Sequence, residues 1–320
     1  MTMRRPRGPV MPGVEGLALT DADRRRLADP LVGGVILFRR NYADPAQLRD
    51  LTASIRALRE PRLLVAVDHE GGRVQRFRAG FTDIGPMRAL GLRWDEDPAA
   101  ARDEAFSTGE TIARELRAHG VDFSFTPVLD LDHGASVVIG DRAFHATPDA
   151  VVELAQALVG GLHAGGCAAV GKHFPGHGYV AADSHLELPV DERPLTRILD
   201  ADVVPFARLA SMLDAVMPAH VVYRRVDPRP AGFSSVWVGD ILRARLGFDG
   251  LVISDDLDMA GAQGVGDIVA RADAAVAAGC DMVLVCNDFA AMDDLLGRWK
   301  PPVNPRLAPR AAAMAARETA

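Results

Sequence analysis

Eight short apolar runs alternate along this chain with longer amphipathic segments, and this alternation restricts the possible folds more than any other feature. The runs lie at 8–16, 32–38, 63–68, 121–131, 167–174, 215–222, 251–257 and 281–286. Helical patterns lie between them, for example at 44–60, 147–166 and 265–280. Short strands that are apolar along nearly their whole length are typical of a parallel sheet that is buried on both faces.

The number of repeats favours an α/β fold of one particular form, a single (β/α)8 TIM-like barrel. Eight strand–helix units within about 250–300 residues fit such a barrel, and an open, doubly wound sheet is the alternative. No Gly/Ser-rich linker, low-complexity tract or internal repeat separates a second domain. We therefore expect residues 1–320 to form one catalytic barrel domain.

Charge and composition narrow the class of partner. The chain carries 36 Lys and Arg against 43 Asp and Glu, a net charge of −7. This balance argues against a nucleic acid or an anionic membrane surface as the partner. We expect a small-molecule ligand and a monomeric protein.

Several features indicate a cytoplasmic protein. No run approaches the roughly 18 apolar residues of a membrane span. The basic N-terminus is interrupted by prolines and glycines before the apolar stretch of a signal peptide can form. Cys167, Cys280 and Cys286 are odd in number and lie in apolar runs, where free cysteine behaves as a small hydrophobic residue in a reducing compartment.

Polar side chains follow four of the apolar runs, at the point where each run ends. Asp68 ends the run at 63–68, Lys172 and His173 belong to the run at 167–174, His220 to the run at 215–222, and Asp255 with Asp256 to the run at 251–257. In barrels and open parallel sheets alike, ligands bind at the carboxyl ends of the strands. We expect these residues to meet in one pocket.

Segment 172–185 has the highest density of ionisable side chains and is broken by glycine and proline, which predicts a loop. Asp183 can accept a hydrogen bond from His185 and raise its pKa, so that the pair works as a general acid and then as a general base. These two residues alone favour the other interpretation, an incidental pair on a surface loop. A zinc site formed with His173 and His177 is a further alternative, although the chain has neither an early HxH nor an HExxH motif.

The other candidates are also open to two interpretations. Asp255 is either a nucleophilic or stabilising carboxylate or a helix N-cap, and we expect Asp256 to turn away from the pocket into a structural role. Residues 68–76, DHEGGRVQR, place acids beside arginines in a turn, which suits either polyol recognition or a buried ion-pair network. Arg142 has the same two interpretations, and Lys172 either contacts the ligand or pairs with an aspartate.

Four motifs together resemble one known family. VDHEGGRVQRF, IGDRAF, KHFPGHG followed by DSH, and SDDLDM are similar to those of family 3 glycoside hydrolases, in particular the short bacterial β-N-acetylhexosaminidases of peptidoglycan recycling. The resemblance extends over 9–286. It implies a TIM-like barrel and retaining hydrolysis of terminal, non-reducing N-acetyl-β-D-glucosaminides. The implied natural substrate is a muropeptide containing N-acetylglucosamine linked to anhydro-N-acetylmuramic acid.

The same resemblance assigns roles to individual residues. It implies that Asp255 is the nucleophile and that His185 is the acid/base, assisted by Asp183, while His177 shapes the loop. It implies no cofactor and no metal. The sugar-binding residues that it implies are Asp68, Arg76, Arg142, Lys172 and His173. A β-glucosidase or phosphorylase on the same scaffold, a zinc-dependent hydrolase and a non-catalytic sugar-binding barrel are the alternatives.

Overall fold

The computed structural model describes residues 3–4, 6–181 and 188–315. One strand forms within each of the eight apolar runs. The eight strands are Val10–Pro12, Gly34–Leu37, Leu64–Val67, Phe123–Ser124, Val170–Phe174, Ala215–Pro218, Leu251–Asp256 and Met282–Val285. We number them one to eight in chain order.

The eight strands lie side by side in a ring, and all neighbours run parallel. Strands one, eight, seven, six and five form one sheet in that order, and strands two, three and four form another. Parallel bridges join the two sheets at both seams: Val10 with Val32 at one, and Phe123 with Ala168 and Val128 with Lys172 at the other. The expected barrel is therefore confirmed, and neighbouring strands follow chain order all the way round.

Helices connect the strands and pack outside them. The α-helices are Asp21–Leu27, Pro45–Arg56, Met87–Glu96, Pro98–Ala118, Pro148–Ala164, Leu195–Leu199, Val204–Leu209, Ala260–Gln263, Ile268–Ala278, Phe289–Arg298 and Leu307–Ala313, and a π-helix spans Val236–Arg245. The helices expected at 44–60, 147–166 and 265–280 are each present within those limits. Pro45–Arg56 shows why: the Asp44 side chain accepts from two free backbone N–H groups at its start, and proline occupies its first turn.

Both faces of the strands are largely buried, which explains why most of their residues are apolar. In the third strand, Leu64 and Ala66 pack inside the barrel while Val65 and Val67 pack against the helices, because alternate side chains of a strand point to opposite faces. Leu307 and Ala311 of the last helix belong to the same apolar cluster as the barrel interior. That helix thus packs at the amino-terminal end of the barrel, where its Arg310 also pairs with Asp281 just before the eighth strand.

Three pairs of short strands supplement the barrel. His69–Gly71 and Val74–Gln75 form an antiparallel hairpin directly after the third strand. Its turn needs glycine, since Gly71 and Gly72 have φ angles of +105° and +53°. The other two pairs are parallel, Met3–Arg4 with Arg59–Glu60 and Val190–Asp191 with Val222–Tyr223. Within the described ranges, no helix has the length and apolar character needed to cross a membrane.

Candidate active site

A cavity of about 400 Å³ opens at the carboxyl ends of the strands. Its ionisable lining residues are Asp68, Glu70, Arg73, Arg76, Arg142, Lys172, His173, His177, Asp255, Asp256 and Cys286. Three of the four expected strand ends therefore meet here. His220 is the exception: it is fully buried, stacks on Phe233, and places Nε2 3.0 Å from the backbone oxygen of Asp256. It therefore supports the wall from behind and does not line the cavity.

Lys172 is held between two carboxylates in the cavity wall. Its ammonium nitrogen lies 2.8 Å from Asp68 Oδ1 and 2.6 Å from Glu70 Oε1, and its side chain is almost fully buried. Arg76 approaches the other Asp68 oxygen at 3.6 Å. Burial alone would raise the pKa of Asp68, but the positive charges of Lys172 and Arg76 outweigh it and lower that pKa. Asp68 is therefore ionised at neutral pH.

Arg142 is paired with a carboxylate that we did not identify from the sequence. Its guanidinium donates two hydrogen bonds to Glu70, from Nε and Nη2, each 2.8 Å long. Burial would raise the pKa of Glu70, but Arg142 and Lys172 hold it far below its ordinary value. Arg142 and Lys172 thus belong to a buried ion-pair network, as one of the two interpretations held, and they also line the cavity. Their contact with sugar stays a prediction.

This network predicts a large stability effect at Glu70. We expect Glu70→Gln to lower the free energy of unfolding by about 3–5 kcal/mol, because two buried cations lose their shared counter-charge. The pKa of Glu70 is lowered by folding, so its contribution is complete above the ordinary glutamate pKa and is lost as pH falls through the folded value. Urea unfolding at neutral pH measures the change.

The matched control is an exposed ion pair. Glu192 lies 2.7 Å from Arg224, and both side chains are more than half exposed. Glu192→Gln should change the free energy of unfolding by less than about 1 kcal/mol. Equal, small changes for the two variants would show that Glu70 does not hold the network together.

His173 and the backbone of His177 are both held by Asp130. His173 Nδ1 lies 2.7 Å from Asp130 Oδ2, and the His177 backbone N–H donates to Asp130 Oδ1 at 2.6 Å. Burial acts to raise the pKa of Asp130, but the nearby His173 outweighs it, and the pKa is lowered. His173 and His177 both line the cavity, so His177 combines its expected role in the loop with a place in the wall.

Asp255 and Asp256 end the seventh strand, and both line the cavity. The expectation that Asp256 turns away from the pocket is wrong, but its expected structural role is borne out by the backbone hydrogen bonds that its carboxyl accepts. The pairing with the eighth strand shifts register between Ile253 and Asp256, and this irregularity breaks the alternation of side chains that a regular strand would impose. Asp256 also holds its neighbour directly, since its backbone N–H donates to Asp255 Oδ1 at 2.8 Å.

The pKa of the Asp256 carboxyl is raised, in contrast to the lowered pKa values of Asp68, Glu70 and Asp130. It accepts from the backbone N–H groups of Asp258 and Cys286 at 3.1 and 3.2 Å. Burial, followed by the charge of Asp258, raises its pKa to about 7. Near neutral pH this residue is therefore partly protonated.

Asp183 and His185 lie outside the described residues, so their expected pairing stays a prediction. The zinc alternative depends on the same two residues. Within 6–181 and 188–315, no three His, Cys, Asp or Glu side chains are grouped so that they could hold a metal ion. The described chain on either side of the gap ends at Ala181 and resumes at Leu188.

Comparison with known proteins agrees with this geometry. Residues 9–300 match the glycosyl hydrolase family 3 N-terminal domain. The β-hexosaminidases of Aromatoleum aromaticum and Chromobacterium violaceum are each 59% identical to the chain, over 99% of it and 89% of their own length. The crystal structure of NagZ from Neisseria gonorrhoeae in complex with N-trifluoroacetyl-D-glucosamine matches with a TM-score of 0.94 and 51% identity, covering 98% of this chain and 91% of that one.

Proposed function

The chain belongs to glycosyl hydrolase family 3, and on that premise we propose that it is a retaining exo-β-N-acetylglucosaminidase acting on terminal, non-reducing N-acetyl-β-D-glucosaminides. Its 59% sequence identity to two β-hexosaminidases shows that it is a glycoside hydrolase of the β-hexosaminidase type. The observation that carries the finer proposal is the meeting of Asp255 with Asp68, Arg76 and Lys172 in one cavity. The N-acylated glucosamine bound by the gonococcal relative supports the choice of sugar.

The proposed reaction proceeds in two displacements at the anomeric carbon. In the first, Asp255 attacks this carbon while His185 donates its proton to the departing glycosidic oxygen, and a glycosyl ester forms on Asp255. In the second, His185 takes a proton from water, the water oxygen attacks the anomeric carbon, and the ester bond breaks to free Asp255. Asp183 accepts a hydrogen bond from His185 and favours its protonated form.

A histidine acid/base suits a site of this charge. Retaining glycosidases ordinarily place two carboxyl groups about 5–5.5 Å apart, which sets like charges close together. A neutral base beside an anionic nucleophile avoids that repulsion. The polar wall then provides sugar recognition, through Asp68, Arg76, Arg142, Lys172 and His173, because carboxylates and guanidinium groups give directional hydrogen bonds to hydroxyls.

We also propose a natural substrate, a cellular compartment and an oligomeric state for the enzyme. The motifs shared with short bacterial β-N-acetylhexosaminidases favour muropeptides, in which N-acetylglucosamine is linked to anhydro-N-acetylmuramic acid, and a role in peptidoglycan recycling. Cys167, Cys280 and Cys286 are buried and none of them forms a disulfide, which supports the cytoplasm as the compartment. Residues 1–320 act as one catalytic domain and as a monomer in this proposal, without metal or cofactor.

A panel of aryl glycosides tests the proposed function. We expect kcat/KM for the aryl N-acetyl-β-D-glucosaminide to exceed that for the matching β-D-glucoside at least about a hundredfold, because a site that hydrogen-bonds a 2-acetamido group, as proposed, binds an analogue lacking it much more weakly. A preference for the glucoside would make the enzyme a β-glucosidase. Release of sugar 1-phosphate on adding phosphate would make it a phosphorylase, and loss of activity on chelation would favour the zinc alternative. Saturable sugar binding without turnover would identify a non-catalytic barrel.

A further inference from the structure

The seventh strand departs from regular pairing at the end that delivers Asp255 to the cavity. Towards the sixth strand, its residue pairing covers Leu251 and Val252. Towards the eighth strand, the pairing shifts register between Ile253 and Asp256. A shift of this kind disrupts the ladder of backbone hydrogen bonds locally. The position of the strand end therefore depends on contacts other than the regular ladder.

On the side of the eighth strand, Ser254 continues the contact through its side chain. Its hydroxyl is fully buried and accepts from the Leu284 N–H at 3.1 Å, which gives a buried backbone donor the partner that it needs. Beyond the two aspartates, the Leu257 N–H donates to the Leu284 oxygen at 3.0 Å. The chain is thus attached to the eighth strand both before and after Asp255.

On the side of the sixth strand, His220 makes the corresponding contact. Its Nε2 lies 3.0 Å from the backbone oxygen of Asp256, which also accepts from the Met259 N–H at 3.2 Å. A carbonyl oxygen can only accept, so Nε2 carries the proton and the imidazole is the donor. The backbone N–H of the same Asp256 donates to Asp255 Oδ1 at 2.8 Å. One residue thus links the imidazole to the neighbouring carboxylate.

The His220 ring is itself fixed by its surroundings. It is fully buried and stacks on Phe233, with ring centroids 5.2 Å apart and ring planes at 16°. Phe233 ends the short 3₁₀ helix Ala231–Phe233, whose first two residues donate backbone hydrogen bonds to Val221 and Ala219. These two acceptors flank His220 in the sequence. The stacking partner is therefore tied to the same stretch of chain that carries the imidazole.

His220 is not among the described residues that line the cavity, so its effect on the reaction passes through Asp256. We infer that His220 is a positioning residue, whose hydrogen bond to the Asp256 backbone fixes the direction in which Asp255 presents its carboxylate to the anomeric carbon. Small displacements matter, because a reacting group misplaced by about 1 Å can react about a hundredfold more slowly. The inference rests on the proposed function, in which Asp255 is the nucleophile.

Three substitutions separate the hydrogen bond from the packing. His220→Phe retains a ring that can stack on Phe233 but has no donor. His220→Gln loses the ring and retains an N–H donor near the position of Nε2. His220→Asn carries the same amide on a side chain one methylene shorter, so its donor falls short of the Asp256 oxygen. It is the matched control for His220→Gln.

A nitrophenyl N-acetylglucosaminide is the substrate, because its leaving group departs without a proton and kcat/KM then reports the attack by Asp255. We expect His220→Phe and His220→Asn to lower kcat/KM about tenfold or more, and His220→Gln to stay within about threefold of the parent protein. The inhibition constant of free N-acetylglucosamine should change less than about twofold in all three variants. Assays run well below the thermal midpoint of the least stable variant exclude loss of folded protein.

A purely structural role would lower the thermal midpoint without this pattern of rates. Parent-like kcat/KM in His220→Phe and His220→Asn, or an equal loss in His220→Gln, would overturn the inference. Binding of N-acetylglucosamine that weakens in proportion to the lost activity would overturn it too, since the whole site would then have changed. If His220→Phe does not fold, the comparison of His220→Asn with His220→Gln decides alone.

Asp255→Asn, measured beside these variants, separates the positioning role from the proposed function. If Asp255→Asn loses turnover while His220→Phe and His220→Asn retain it, the positioning role is wrong and the proposed nucleophile stands. If Asp255→Asn turns over nearly normally, the proposed nucleophile fails and the positioning role fails with it.

Discussion

Asp255→Asn should abolish glycosyl-enzyme formation and lower kcat on an aryl N-acetylglucosaminide by about 10⁴-fold or more. The reason is chemical: an amide oxygen of the same size carries no negative charge and is a poor nucleophile at the anomeric carbon. The substitution is nearly isosteric and lies in a solvent-accessible cavity, so the fold should be retained. Single-turnover kinetics, with release of the phenol as the signal, measures the effect.

Asp256→Asn is the matched control for that prediction. Asp256 lines the same cavity one residue further along, and burial raises its pKa to about 7. Below neutral pH the parent residue is already largely protonated, so an amide there is a small change, and we expect a much smaller loss than at Asp255. Near-normal turnover by Asp255→Asn would remove it from the nucleophilic role. A larger loss in Asp256→Asn would instead indicate that Asp256 is the nucleophile.

His185→Ala should produce the second large effect, which depends on the leaving group. General acid catalysis contributes about 10²–10⁴-fold, so kcat/KM on an alkyl N-acetylglucosaminide should fall by that factor. On a nitrophenyl substrate kcat/KM should change little, because this leaving group departs without a proton. The comparison uses kcat/KM because this constant reports the first displacement, whereas kcat also contains the base-assisted second step.

Asp183→Asn provides the control for the acid/base assignment. If Asp183 only supports His185, this variant should show the same preference for activated leaving groups with a smaller loss on the alkyl substrate. Equal losses on both substrates in His185→Ala would count against acid catalysis by this residue.

The barrel could be predicted because its sequence signal is local. Each of the eight strands is buried on both faces, so each appears as a nearly continuous apolar run, as in Leu64–Val67, where all four residues are fully buried. The expectation that Asp68, Lys172 and Asp255 meet followed from topology alone, because parallel strands bring their carboxyl ends together.

The charge partners could not be predicted, because pairing between distant residues has no local pattern. Glu70 pairs with Arg142, 72 positions away, and Asp130 with His173, 43 positions away. The sequence pointed to these two partners only through an acid in DHEGGR, which is Glu70, and an aspartate near the end of the run at 121–131, which is Asp130. The position of Asp256 was missed because a local register shift overrides the simple alternation of strand side chains.

The two ends of the barrel differ in role: apolar packing at the amino-terminal end stabilises the fold, and the carboxyl end holds the cavity. The last helix packs on the apolar interior at one end, whereas at the other end paired charges surround the cavity. Lys172 and Arg142 keep Asp68 and Glu70 ionised, so the wall presents fixed charges and hydrogen-bonding groups without rearrangement. Such preorganised polar groups favour binding of a polyhydroxylated ligand.

The central claim is that Asp255 forms a covalent bond to the sugar, and mass spectrometry of a trapped adduct tests it most directly. His185→Ala retains Asp255 but lacks the base for the second displacement, so a nitrophenyl N-acetylglucosaminide should load it faster than water unloads it. Acid quenching and peptide mapping should find one N-acetylglucosaminyl group on the peptide containing Asp255, and none in the Asp255→Asn, His185→Ala double variant. An adduct on another residue, or turnover without an adduct, would contradict the account.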